Sequence, residues 1–413
     1  MPTLTGTLQG HNDFELDLPR THPVTYTAEV PEGPAGGLVF LIKGFGEDGQ
    51  ASYQEMLRRY ISERYNLVAV TVDAHCHIAR PVRAGGDTKD KKVSYEFDLD
   101  SLYAALGALA LRGYPIDPNL KSRRSILSFL KKFLYEPLEI RAKMKPPWGE
   151  YQNFGVLAAL DHLSALGHII DQDIDFDRSN IVCIGTSHGG YVAQLIHKFA
   201  PNTISGVIEA SSYTQAMKIF LGGGKEFTAK EQNLSIVLNT DTKWELYDVF
   251  HSNYLDRCRE DIRNVAFARH LREIQETTER HCQFRMVHSE ADRISPIAFK
   301  QRQQATLSSF GYDTVLDVLQ EKDIDGKFVK SMEHGMGIAI NELFDRYYPT
   351  LSVESTVIDL EKGTVLEFDC DDRVYRIEHL AHAPWIAASC PMKEIHSDKS
   401  SRIGADHALR VDA

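Results

Sequence analysis

The chain has only six cysteines in 413 residues: Cys76, Cys183, Cys258, Cys282, Cys370 and Cys390. No two of them form a CxxC pair. A zinc ribbon or a disulfide framework is therefore not expected, and buried or free thiols are the ordinary reading. Positive charge is also scarce. Lys plus Arg is 46 against 58 for Asp plus Glu, a formal charge of −12. With no Lys/Arg-rich run, that balance argues against nucleic acid, whose phosphates need a basic surface. Long hydrophobic runs are missing as well. Stretches such as Leu67 to Val72 are too short to span a bilayer. The start, Met1-Pro2-Thr3-Leu4-Thr5-Gly6, has neither the basic head nor the apolar segment of a secretory signal. A cytoplasmic protein with no membrane partner is expected. Internal repeats and low-complexity tracts are absent.

What is present is an ordinary globular composition. Hydrophobic residues make up 43% and charged residues 25%, enough apolar mass to offset chain entropy. The length allows one large α/β domain with insertions, or two to three small domains. Self-association is left open.

Short apolar runs alternate with helical patterns. Asp13 to Leu18 and Val24 to Val30 suggest an opening pair of strands. Gly37 to Ile42, Leu67 to Val72, Asn180 to Ile184, Gly206 to Ile208 and Phe284 to His288 read as buried strands. Tyr53 to Tyr65 places Met56, Leu57, Tyr60 and Ile61 on one helical face, and Gln152 to Leu166 is a second helix. Buried strands separated by helices imply a mostly parallel sheet covered on both faces.

Two stretches break this alternation, 74–150 and 213–280. Both are too long to be structureless loops, so each should carry helices, with Ser125 to Phe133 and Ala266 to Glu279 as candidates. Each leaves from the carboxyl edge of a strand, where open α/β sheets bind ligands. They are expected to form helical caps over a site within a main domain of residues 1–350. From about Leu351 the pattern changes to strand-like alternation. Thr356 to Glu361, Thr364 to Asp369 and Arg373 to Glu378 predict a small β meander within 351–395. Residues 396–413 are polar and unpatterned, as in a mobile tail.

The chemistry centres on Gly185-Thr186-Ser187-His188-Gly189, a G-x-S-x-G pattern. A strand precedes it directly. A helix follows, with Val192, Leu195, Ile196 and Phe199 at helical spacing. Strand, sharp turn and helix are what a nucleophile elbow requires; the alternative is a Gly-rich turn without chemistry. A serine hydroxyl is a weak nucleophile and needs a base oriented by an acid. In the order serine, acid, histidine, the acid is Asp292, just past the strand end at His288 and ahead of Pro296. Glu290 is its nearest competitor. The base is His334, in Glu333-His334-Gly335-Met336-Gly337 after the strand Thr314 to Leu319.

An oxyanion hole needs backbone N–H groups. His188 supplies one. The loop Lys43-Gly44-Phe45-Gly46-Glu47-Asp48-Gly49 supplies a second, from Phe45 or Gly46. Asp73-Ala74-His75-Cys76-His77 matches no zinc spacing, so His75 is read as pocket-lining or structural. Trp148, Glu150 and Tyr151 lead into a helix and are candidate substrate contacts, with ordinary packing as the equal alternative. No metal or cofactor is expected.

These residues resemble the α/β-hydrolase superfamily, within it serine esterases and prolyl-oligopeptidase-like peptidases. The elbow, the Asp292 to Pro296 segment and the His334 loop carry the likeness. More closely, PWGEYQNFGVLAALDHLSAL and IDGKFVKSMEHGMGI resemble an uncharacterised bacterial hydrolase-like family often encoded near flagellar or surface-glycan genes. The likeness spans roughly residues 10 to 350, without the meander. Lys43 departs from it, standing where many esterases carry a histidine. The resemblance implies the α/β-hydrolase fold and a serine hydrolase. Its substrate would be a small-molecule or glycan acyl ester, such as an O-acylated sugar. A peptidase, an acyltransferase or a non-catalytic accessory protein are the alternatives.

Overall fold

The computed structural model describes residues 1–45, 52–80, 93–133, 138–231, 234–279 and 282–393. Among these, eight strands make the central sheet: β1 (Thr3–Leu8), β2 (Val24–Glu29), β3 (Leu38–Ile42), β4 (Val68–Asp73), β7 (Ile181–Thr186), β8 (Gly206–Ala210), β11 (Gln283–Ser289) and β12 (Thr314–Leu319). Their order is β1-β2-β4-β3-β7-β8-β11-β12. From β4 to β12 neighbouring strands are parallel, and β2 is antiparallel to both its neighbours. That strand order, with helices on both faces, is the α/β-hydrolase fold.

The runs of apolar residues are explained by two cores. In β3, Leu38, Phe40 and Ile42 face one side and pack with α4 (Val156–Ile170) and α5 (His188–Phe199). Val39 and Leu41 face the other side, with Leu57 and Ile61 of α1 (Ser52–Tyr65) and Leu343 and Phe344 of α9 (Ile340–Tyr347). A strand covered on both faces has no polar positions to show. Each such side chain contributes roughly 1.5–3 kcal/mol of transfer free energy. The helix α8 (Ile297–Ser309) joins β11 to β12.

The first insertion carries α2 (Leu99–Leu111) and α3 (Arg123–Leu130), so helices are present as expected. The insertions also build a sheet that the sequence reading did not include. It comprises β5 (Ser94–Phe97), β6 (Leu138–Lys145), β9 (Phe227–Glu231) and β10 (Leu234–Thr240), in the order β5-β6-β10-β9. The parallel pairing of β6 with β10 joins the two insertions into one layer. The signal was local: Leu138, Ile140, Ala142 and Met144 are buried while Glu139, Arg141 and Lys143 are exposed, a period of two. The second insertion also holds α6 (Arg257–Ile262) and α7 (Ala268–Thr277). Residues 81–92, 134–137, 232–233 and 280 of these insertions lie outside the described residues.

Three other expectations are corrected. Asp13 to Leu18 is a tight turn rather than a strand, because the Asp13 carboxylate accepts the N–H groups of Glu15 and Leu16; the edge strand is β1. The second helix starts at Val156, not Gln152, because Phe154 and Gly155 take positive φ. Thr356 to Glu361 is not a strand, since α10 (Asp359–Lys362) occupies it. The meander instead consists of β13 (Val365–Asp369), β14 (Val374–His379) and β15 (Ile386–Ser389), all antiparallel. The tail expected at 396–413 lies outside the described residues. No described helix is long and apolar enough to cross a membrane.

Candidate active site

Ser187 stands between the end of β7 and the first residue of α5, with φ 53° and ψ −121°. A non-glycine residue held there is strained, and its surroundings must over-determine it. They do so by close packing. A Cβ at Gly189 would lie 2.2 Å from the Ile42 carbonyl oxygen, and one at Gly185 would lie 2.5 Å from the Gly189 carbonyl carbon. The Ser187 N–H also donates to the Ala210 carbonyl at 2.8 Å. The turn thus presents Oγ above the carboxyl edge of the sheet, next to the positive end of α5.

Asp292 follows β11 in a loop that binds its own carboxylate. Oδ1 accepts the N–H groups of Ile294 and Ser295, both at 2.9 Å. Burial alone would push this carboxyl up. Hydrogen bonds from His334 and from the Ser295 N–H hold it instead below its ordinary value. His334 sits on a loop pinned to the strand tips. The Gly335 N–H donates to Ser211 Oγ at 3.0 Å, and Ser289 Oγ donates to the Met332 carbonyl at 2.8 Å. Met336 is buried in the second core, and Gly335, Met336 and Gly337 all have positive φ. The imidazole then bridges the other two residues. Nδ1 lies 2.8 Å from Asp292 Oδ2, and Nε2 lies 2.7 Å from Ser187 Oγ. Since a carboxylate only accepts, Nδ1 carries the proton and Nε2 is free to accept from the serine. Burial keeps the neighbouring His288 imidazole below its usual value, and its Nε2 donates to the Ser295 carbonyl at 2.6 Å. It is a support of the Asp292 loop.

A family profile described as "Protein of unknown function (DUF2920)" matches residues 6–383. The chain belongs to this family. The match runs on through β13 and β14, beyond the span of roughly 10 to 350 read from the sequence. No curated protein matches this DUF2920 chain. Among solved structures it is similar to Thermogutta terrifontis esterase 2 phosphonylated by sarin, with 11% identity, TM-score 0.40, and coverage of 83% of this chain and 90% of that one. It is also similar to the Pyrococcus horikoshii acylaminoacyl peptidase, with 9% identity, TM-score 0.41, and coverage of 78% of this chain and 37% of that one.

The other expected site residues of the DUF2920 chain divide into two groups. Phe45 belongs beside the elbow, its ring stacked on that of His188 at 3.9 Å. His188 opens α5, where backbone N–H groups lack helical partners. Gly46 lies outside the described residues. The residues read as pocket-lining, His75, Trp148, Glu150 and Tyr151, line a cavity of about 40 Å³ with Asp13, Arg20 and His22. Glu150 accepts the Cys76 N–H at 2.9 Å and pairs with Arg20 at 3.4 Å. Tyr151 donates to Asp13 at 2.5 Å. His75 contacts the Tyr151 carbonyl through Nε2 at 2.9 Å, and it lines a small 30 Å³ cavity with Phe45 and His188. Trp148 stacks on His22 at 3.8 Å. Glu150, Tyr151 and His75 belong to a buried polar network in which Asp161 pairs with Arg20 and accepts the His75 N–H, both at 2.7 Å, while Trp148 is exposed. Lys43, the departure noted above, forms a buried ion pair with Asp73. Among the described residues, no three His, Cys, Asp or Glu side chains are grouped to hold a metal.

Sequence reasoning missed the aromatic wall. Tyr213 Oη lies 3.0 Å from Ser187 Oγ, and its ring lies parallel to the His334 ring, 5.8 Å away. Phe220 packs against both Tyr213 and Phe45, at 5.5 and 5.6 Å, and Phe154 touches the same group. Arg80 covers Phe45, Phe220 and Phe227 and pairs with the buried Glu226 at 2.9 Å. One signal could have found Tyr213: it comes three residues after the end of β8, at the edge where the neighbouring strands deliver Ser187 and Asp292.

Proposed function

We propose that this protein is a serine hydrolase that cleaves an acyl ester through an acyl-enzyme. Ser187 is the nucleophile, His334 the general base and acid, and Asp292 the group that orients the imidazole. The observation that carries the reading is the unbroken hydrogen-bonded line from Asp292 through His334 to Ser187 Oγ, at 2.8 and 2.7 Å. In the first half-reaction His334 Nε2 takes the serine proton as Oγ adds to the carbonyl carbon. The N–H of His188 and one from the loop at Phe45 stabilise the oxyanion, each such donor contributing about 3 kcal/mol at the transition state. His334 then protonates the leaving oxygen. Water repeats the sequence on the acyl-enzyme.

An O-acylated sugar or another small acyl ester is the proposed substrate. The rings of Phe45, Phe154 and Phe220 favour an apolar acyl group beside the nucleophile. Labelling with a fluorophosphonate tests the reading. Wild-type protein should be labelled at Ser187 and Ser187→Ala should not. Folded wild-type protein that resists the probe would favour a binding or accessory role. A panel of acyl sugars, alkyl esters and peptides then separates esterase from peptidase, and added alcohol acceptors reveal acyl transfer.

A further inference from the structure

Among the described residues, Ser187 Oγ has two hydrogen-bond partners, and only one belongs to the triad. Oγ carries a single proton. The imidazole donates Nδ1–H to Asp292, so that proton goes to His334 Nε2. The second contact, to Tyr213 at 3.0 Å, must then run the other way, with the phenol donating to an Oγ lone pair.

We propose that Tyr213 is a catalytic hydrogen-bond donor on the leaving-group side of the site, which fits the enzyme to esters of weakly acidic alcohols such as sugar or alkyl hydroxyls. This rests on the serine-hydrolase reading of Ser187 and deepens it. The side follows from two contacts that meet at Ser187 Oγ, His334 Nε2 at 2.7 Å and the Tyr213 hydroxyl at 3.0 Å. The Tyr213 ring lies parallel to that of His334, and the leaving oxygen must sit beside His334 Nε2 to receive its proton.

The Oγ–H bond breaks and its proton moves to Nε2. An Oγ pair forms the bond to the acyl carbon, and the carbonyl π pair moves onto its oxygen. Oγ is now an ester-type oxygen and a poor acceptor. The phenol O–H is then released from it and is in reach of the adjacent leaving oxygen on the same carbon. As the oxyanion pair returns to re-form the carbonyl, the bond from carbon to the leaving oxygen breaks, its electron pair goes to that oxygen, and the oxygen takes the proton from Nε2. Tyr213 keeps its own proton throughout and stabilises the charge that develops on the leaving group.

Two features fit this role. Burial pushes the Tyr213 phenol up to about 12, so it remains a donor across the working pH range. Its segment is also held by a buried polar network. The Ser212 N–H donates to Glu209 at 3.0 Å, and Ser212 Oγ accepts from Lys300 at 2.9 Å and from Gln194 at 2.6 Å. Lys300 in turn pairs with Glu209 at 2.7 Å.

The test uses two esters with a common acyl group, one of 4-nitrophenol and one of a simple alkyl alcohol, with wild-type protein and Tyr213→Phe. Because kcat/KM reports acylation alone, the variant should lose roughly 30-fold or more on the alkyl ester and less than about threefold on the nitrophenyl ester. Fluorophosphonate labelling of Ser187, which expels fluoride, should persist in the variant. Equal losses on both esters, or no loss on either, would overturn the proposal. A second measurement needs no variant. Across a series of alcohols of rising pKa, wild-type kcat/KM should fall only shallowly, and a steep fall would also overturn it. If wild-type protein neither cleaves any ester nor takes the probe at Ser187, the underlying hydrolase reading fails, and this inference with it.

Discussion

A carboxylate sealed from water usually resists ionisation, yet Asp292 is held charged by three donors converging on it: the His334 ring and two backbone N–H groups. Replacing it with Asn keeps the shape but offers the imidazole an amide, which no longer selects the tautomer with Nε2 free. Asp292→Asn should therefore lower kcat by roughly 10⁴-fold while leaving the fold intact, measured as ester turnover beside circular dichroism. The same residue sets a pH signature. Its folded-state pKa lies below the ordinary 3.8, so its stabilising contribution is complete above about pH 4 and is lost as pH falls through the folded value. Melting temperatures between pH 6 and 2.5 should drop more steeply for wild type than for Asp292→Asn. At this scale Ser187, Asp292 and His334 were legible because motif, chain order and strand ends each restrict a residue's place. Tyr213 was less so: its place three residues past β8 is a signal only once the fold shows that the end of β8 lies beside the end of β7. Trp148, Glu150 and Tyr151 precede a helix that starts near the site, and their side chains meet His22, Arg20 and Asp13 around a second cavity.

Elements meet at distances that only certain residues allow. α5 approaches β3 so closely that Gly189 leaves no room for a methyl group against the Ile42 carbonyl. The obstacle is backbone and cannot swing aside. Gly189→Ala should cost about 1–3 kcal/mol in denaturant unfolding, and it should reduce fluorophosphonate labelling more than that loss of folded protein explains, because relief displaces the elbow. A second contact, of α7 with β13, carries a pH dependence of opposite sign to that of Asp292. Burial pushes Glu273 up to about 7, although its carboxylate accepts the Asp369 N–H and repulsion from the Asp369 charge is a smaller contribution. The folded state binds that proton more tightly than the unfolded chain does, so stability falls as pH rises from about 4.5 to 7. Glu273→Gln should melt above wild type at pH 8 and close to it at pH 4.5. The buried central strands were readable as apolar runs. The alternation of β6 was readable locally, but the cap sheet's pairing was not, since β6 and β10 stand about 90 residues apart and their parallel pairing leaves no local turn signal.

Across the whole molecule, the segment after Leu351 reads from its pattern as an addition, yet it is tied to the core of the main domain by buried polar groups. Tyr375 of β14 donates at 2.7 Å to Glu15, which also accepts from the fully buried Arg263 at 2.9 Å. Three distant parts of the chain thus share one carboxylate. Trp385 packs against Gly167 of α4, where a Cβ would come within 2.4 Å of the indole, and its Nε1 donates to Asp171. Asp359 accepts the N–H groups of Asn202 and Thr203, the Asn202 amide and the Thr203 hydroxyl, all at 2.9–3.0 Å. These contacts were illegible because each joins residues more than a hundred positions apart, and nothing in the local alternation of β13 or β14 refers to a partner. Their physical consequence is cooperativity. Removing the Asp359 carboxylate would strand four donors in a dry interior, so Asp359→Ala should lose roughly 3–5 kcal/mol. Because the meander and the core share these groups, intact protein should unfold in one transition, with near-UV dichroism, tryptophan fluorescence and ester turnover lost together in urea. The fluorescence reports Trp385, Trp148 and Trp244, and Trp385 alone lies in the meander. An early fluorescence step, present in wild type, absent from Trp385→Phe and leaving turnover unchanged, would mean that the meander is a separable module and that its buried ties contribute little to the fold that holds Ser187.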